Sequence, residues 1–188
     1  MQKARLYLTI FAGIVFLQLG LSCSNPSNTS QKPIYFPWKQ FLETEIKRLQ
    51  ATKAIIRKSI ILNGKKEEKT LSQVDFEHEL SLFFNADLNK SAYATSYDNL
   101  SENNLIWYSL KKDENLKVKK VLIKLDLAEV PEDLELIVEE KNILFSTEKK
   151  LHMHFVEGKL ASYSIDGTQQ LAWLAPTSYK MLGVVLAK

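Results

Sequence analysis

Cysteine is almost absent: the 188-residue chain has one, Cys23. A single thiol excludes a disulfide framework and any zinc site built from several cysteines. Glycine and proline are scarce too, at six and five residues, which excludes a collagen-like or low-complexity chain. Charge of one sign is not in excess either, with 25 basic and 22 acidic side chains. Lys3 and Arg5 sit in an N-terminal leader, and without them the balance is 23 to 22. A polybasic nucleic-acid- or membrane-binding domain is therefore not indicated. There is no Gly-rich phosphate loop, no nucleophile elbow, no HExxH and no internal repeat. What remains is ordinary globular usage, 45% hydrophobic and 25% charged, and room for one domain plus a leader.

The leader is the informative part. Residues 1–5 carry two positive charges and no acid, and residues 6–22 (LYLTIFAGIVFLQLGLS) carry no charge at all. The polar stretch SNPSNTSQKP then follows Cys23 and cannot continue an apolar helix. A basic segment, an apolar run and a small residue at its end describe a secretory signal peptide. The competitor is an uncleaved anchor, since a span needs about 17–25 apolar residues. The lone cysteine decides, because it falls where the run stops.

Residues 1–23, ending Gly20-Leu21-Ser22-Cys23, resemble the lipobox signal peptide of bacterial lipoproteins. Ser22 fits the small residue wanted before the cysteine, while Gly20 stands where an aliphatic residue is usual. The resemblance implies cleavage before Cys23 and attachment of acyl chains there. Each buried methylene is worth about 0.8 kcal/mol, so two or three chains hold a protein on a bilayer while one does so only marginally. By the same resemblance, Ser24 in place of the Asp that marks inner-membrane retention implies delivery to the outer membrane. With no acidic cluster after the cysteine, a periplasm-facing position is expected. The partner implied is the membrane, through Cys23; nucleic acid is not.

Residues 24–35 lack apolar periodicity and read as a tether, leaving residues 36–188 as one domain. Pro37 suits a first helical turn, and Trp38, Phe41, Leu42, Glu45, Ile46 and Leu49 form one stripe at helical spacing. Residues 53–62 and 67–71 flank Asn63-Gly64, a strong hairpin signal. Ser72-Gln73-Val74-Asp75 resembles a capping box opening a second helix over residues 73–85, with Phe76, Leu80, Phe83 and Phe84 inward. From Leu105 the pattern turns to strands: LIWYSL, KVKKVLIKLDL, LELIVEE, NILFS, KLHMHFVEG, KLASYSID and YKMLGVVLA. Val118 is out of phase with Val121, which predicts a bulge near Lys119-Lys120. Alternation of Leu151, Met153 and Phe155 against Ala161, Tyr163 and Ile165 predicts a hairpin pairing Met153 with Ala161 across the loop Val156-Glu157-Gly158. The expected architecture is α+β: two N-terminal helices on a curved, half-barrel-like antiparallel β-meander.

Chemical candidates are few. His152 and His154 share a strand face and could offer two imidazoles to a metal, with His78 as the one other histidine, on the second helix. A solvated strand face explains them without metal. Asp75, Glu77 and Glu79 beside His78 are explained by the helix dipole. Residues 87–103 form either a binding loop or an unrecognised strand. Leu171, Ala172, Trp173, Leu174, Ala175 and Pro176 put an apolar cluster in a connection, expected to fold back over the sheet edge rather than stand exposed. No catalytic, metal or cofactor-binding residue is assigned; Cys23 is the lipid-attachment residue. The leading expectation is a non-catalytic envelope lipoprotein that binds an envelope protein or carries an apolar ligand. The alternative is a periplasmic hydrolase with its site near residues 87–103. A packed interior without a polar cleft would favour an interaction module over either the carrier or the enzyme.

Overall fold

The computed structural model describes residues 33–186. Cys23 and the apolar run before it lie outside the described residues. Helix α1 (Trp38–Ala51) comes first, then strands β1 (Ile55–Leu62) and β2 (Lys65–Leu71). Two short helices, α2 (Phe76–Glu79) and α3 (Ser81–Asn85), lead through a 3₁₀ turn at Ser91–Tyr93. Seven strands complete the chain: β3 (Tyr97–Glu102), β4 (Leu105–Leu110), β5 (Val118–Leu125), β6 (Pro131–Lys141), β7 (Phe145–Val156), β8 (Lys159–Leu171) and β9 (Thr177–Leu186). All nine strands form one antiparallel sheet in the order β2-β1-β9-β8-β7-β6-β5-β4-β3.

The expected α+β half-barrel is therefore wrong. Strand makes up 53% and helix 17% of the described residues, only one helix reaches seven residues, and the sheet is not closed. Three local causes account for the difference. The second helix breaks at Leu80, whose φ of −100° and ψ of 11° end α2 and begin α3. Its apolar side chains are nonetheless buried: Phe76, Leu80 and Phe83 are all at 1% exposure or less. Residues 97–102 form an edge strand whose side chains beyond Tyr97 are exposed, so YDNLSE lacks an apolar face to read. The β1–β2 hairpin does not stand apart; β1 pairs with β9 and extends the sheet.

Other expectations hold. Helix α1 buries Trp38, Leu42, Glu45, Ile46 and Leu49, five of its six predicted stripe residues, with Phe41 half-buried. Asn63 and Gly64, at φ 47° and 83°, make the two-residue turn between Leu62 and Lys65. The β5–β6 ladder shifts between Val118 and Lys120, where the bulge was expected.

The β7–β8 hairpin is tighter than expected. Its turn is two residues, Glu157-Gly158 at φ 50° and 71°, and Met153 pairs with Tyr163 rather than Ala161. A bulge between His154 and Phe155 restores the face, so Leu151, Met153, Phe155, Leu160, Tyr163 and Ile165 are all buried. Glu45 of α1, 4% exposed, accepts from the Leu160 N–H at 2.7 Å beside that bulge. The segment NILFS is no strand of its own; it supplies the turn before β7 and its first two residues.

The helices pack on one face of the sheet. Trp38 and Phe41 meet Phe155 edge-on, with ring centroids 5.9 and 5.2 Å away, and the Phe83 ring meets Tyr163 at 6.2 Å. Coverage is partial for a geometric reason. Helix α1, at about 1.5 Å per residue over 14 residues, spans about 21 Å. Strands β7 and β8, at about 3.4 Å per residue over 12 and 13 residues, run to about 40 Å.

Candidate functional site

The chain joins the sheet at Tyr35, which lies edge-on to Tyr97 and Tyr108 at 5.7 and 5.1 Å. Asn89 clamps this segment: its Oδ1 accepts from Tyr35 N at 2.9 Å, and its Nδ2 donates to the Tyr35 and Phe36 carbonyls. Tyr108 Oη accepts from Phe36 N at 2.9 Å, and the Tyr97 hydroxyl donates to the Val118 carbonyl. Burial pushes the Tyr97 and Tyr108 phenols up from their ordinary pKa. Residues 87–103 thus serve to seat the incoming chain and to add β3 to the edge. Residues 87–96 are loop with one 3₁₀ turn, and residues 97–102 are strand β3.

The acidic residues around His78 separate into two jobs. Asp75 caps α2, accepting from His78 N at 3.1 Å, while Glu79 turns into the sheet. Lys58 Nζ donates to both Glu79 oxygens at 2.7 and 2.9 Å, and the Tyr163 hydroxyl donates to Oε1 at 2.5 Å. Burial first, and then the Glu79 carboxylate, push the Tyr163 phenol far up. Lys58, Glu79 and Tyr163 are a proton-transfer set by composition. Each Glu79 oxygen is already occupied, so the arrangement locks α2 onto β1 and β8.

His152 and His154 project from the opposite face, as their alternation required. His152 Nε2 and His154 Nδ1 lie 3.1 and 2.9 Å from the same oxygen, Oδ1 of Asp133. Asp133 is the direct cross-strand neighbour of His154 on β6, which the sequence reading missed because it never registered β6 against β7. His78 is exposed on α2, on the helix side, so the three histidines are not brought together. Both imidazoles and Asp133 are half-buried, and no group of three metal-ligating side chains suited to a metal ion occurs among the described residues.

Beneath the helices, between Tyr35, Trp38, Leu88, Tyr108 and Leu136, the void is about 10 Å³, room for one water at most. Larger clefts are surface grooves, such as the one bordered by Ile61, Lys150, Tyr179 and the Asp166–Lys180 ion pair, 3.2 Å apart.

The apolar cluster at residues 171–176 does not fold back, contrary to expectation. Trp173 is 95% exposed and Leu174 61%. Beside them, in the β6–β7 turn, Ile143 is 96% exposed and Leu144 64%. The two turns are joined: Ala172 N donates to the Leu144 carbonyl at 2.8 Å, and Phe145 pairs with Leu171. Trp173 holds a left-handed φ of 65°, a backbone conformation that bulky residues rarely adopt. This tip gathers four exposed apolar side chains from two joined turns; Leu127 in the β5–β6 turn, at the other end of the sheet, is also exposed, at 98%. No helix among them is long and apolar enough to cross a membrane. No family model, curated protein or solved structure matches the chain significantly.

Proposed function

We propose that the protein is a lipid-anchored envelope lipoprotein whose domain is a non-catalytic binding or assembly module. The observation that carries this reading is the position of Cys23, the single cysteine, at the end of a seventeen-residue uncharged run behind a basic start. The domain supports the non-catalytic part. Its buried and half-buried carboxylates are spent on the fold: Glu45 on Arg48 and Leu160 N, Asp87 on Asn89 N, and the half-buried Glu79 on Lys58 and Tyr163. The void under the helices, about 10 Å³, is too small for an apolar ligand at that place, and within residues 87–103 Asn89 and Tyr97 are spent on hydrogen bonds that hold the fold. Following Ser24, the anchor faces the periplasm from the outer membrane. Growth with a fatty-acid analogue tests the reading: wild type should be labelled and Cys23→Ala should not. Equal labelling of both would overturn it.

A further inference from the structure

We infer that the paired turns at residues 142–144 and 172–176 are a membrane-insertion tip, taking as partner the surface of a bilayer that contains anionic phospholipid. Three observations converge. The first is the shape of the apolar surface. Side chains that are 95–96% accessible, as Trp173 and Ile143 are, have no wall beside them. A projecting point of this kind suits a fluid acyl boundary, and tryptophan is enriched at that boundary because its ring is apolar and its N–H polar.

The second observation is charge. The antiparallel order sends the β1–β2, β4–β5, β6–β7 and β8–β9 turns to one end of the sheet and the other three strand-to-strand turns to the opposite end. Counting each turn with its bounding residues, the tip end carries Lys65, Lys111, Lys112, Lys117 and Lys141 against Asp113 and Glu114. The far end carries Glu102, Asp126, Glu129 and Glu157 against Lys159. Segments 142–147 (NILFST) and 167–179 (GTQQLAWLAPTSY) hold no charge whatever. The nearest acids, Glu139, Glu140 and Glu148, stand back along β6 and β7, and Glu140 is paired with Lys117 at 3.0 Å. An uncharged apolar point with Lys141 bounding one of its turns, and Lys65, Lys111 and Lys112 in the flanking turns of that end, matches acyl chains beneath anionic phosphates.

The third is reach. Tyr35 packs on Tyr97, which is paired with Leu110 at the same end of the sheet as the tip. Cys23 and Tyr35 are twelve positions apart, at most about 40 Å of chain at 3.3–3.6 Å each. This part rests on the anchored reading; shape and charge do not. An anchor at Cys23 would hold the domain within that reach of the bilayer, so that weak insertion suffices.

The test uses the purified, envelope-extracted wild-type protein mixed with phosphatidylethanolamine–phosphatidylglycerol vesicles whose acyl chains are brominated. Flotation reads attachment, and bromine quenching of tryptophan emission reads contact of the ring with acyl chains. Wild type should show a quenched component that is absent in Trp173→Phe, where Trp38 and Trp107 remain. That component should weaken in Lys141→Glu and in vesicles without phosphatidylglycerol. Vesicle-bound protein whose Trp173 is unquenched would overturn the tip while leaving the anchor standing, and that is also the outcome if the tip binds a protein. Quenching of Trp173 that persists when Cys23→Ala abolishes fatty-acid labelling would support the tip without the anchor. Neither flotation nor quenching would overturn both.

Discussion

Under the helices, Ile56, Ile123, Leu134 and Met153 are fully buried, whereas nearer the tip of the same sheet Ile60, Leu62 and Leu171 are 40–49% exposed. Both sets sit on the same sheet face by register: Ile56 and Ile60 are four residues apart on β1, and Ile60 pairs with Met181 as Ile56 pairs with Val185. Strand alternation therefore selects a face, and the short helices select how far along that face water is excluded. The difference should be visible in mutational cost.

The largest effect is expected at the covered end. Phe155→Ala removes a ring packed against Trp38 and Phe41 and should cost about 3–5 kcal/mol in chemical denaturation. Gly183→Ala should come next. A Cβ there would lie 2.2 Å from the Tyr163 ring, which burial and Glu79 hold in place, so overpacking of about 1–3 kcal/mol is expected. Gly167→Ala meets Tyr179 at a similar 2.3 Å, but that ring is only half-buried and can swing aside; its cost should be clearly smaller. If the two glycine variants are equally damaged, the contrast between the ends is not one of freedom to relax.

Glu45→Ala leaves the buried Leu160 N–H without its carboxylate and should cost about 1–3 kcal/mol. Alkaline titration sharpens the comparison further. Tyr163 and Tyr97 have phenols raised by burial, so above about pH 10 the unfolded chain sheds protons that the fold retains. Their contribution is complete below about pH 10 and is lost as pH rises beyond it, at roughly 1 kcal/mol per pH unit for each buried tyrosine. Denaturation midpoints at rising pH should show that slope, and Tyr97→Phe should flatten it. The smallest effect belongs to the tip: Trp173→Ala should change stability by no more than about 0.5 kcal/mol. A larger loss would mean the tip is packed.

Much of the fold was legible where one face is apolar. The α1 stripe, the Asn63-Gly64 turn and the Lys119 bulge each follow from a period or from a backbone requirement that few residues meet. Edge strand β3 was not legible, because a strand solvated on both faces carries no alternation to read. Nor was the break at Leu80, since Phe76, Leu80 and Phe83 keep helical spacing through it. The proposal of lipid attachment at Cys23 rests entirely on sequence. The tip was half legible: its residues stood out, but exposure depends on which strands the helices fail to reach. A near-neutral total likewise hid lysines at one end and acids at the other, because composition has no coordinates.

The position of β9 between β1 and β8 has a consequence in time. Strand β1 is made about 120 residues before its partner, so its pairing closes a long loop and waits for the last strand to emerge. Until then Ile56 has a hairpin partner on one side and an unpaired edge on the other, and the sheet is divided into β1–β2 and β3–β8. Synthesis from the N-terminus thus cannot complete this sheet before β9 is made. A chain truncated before Thr177 should leave two open edges, on β1 and β8, prone to pair with other chains.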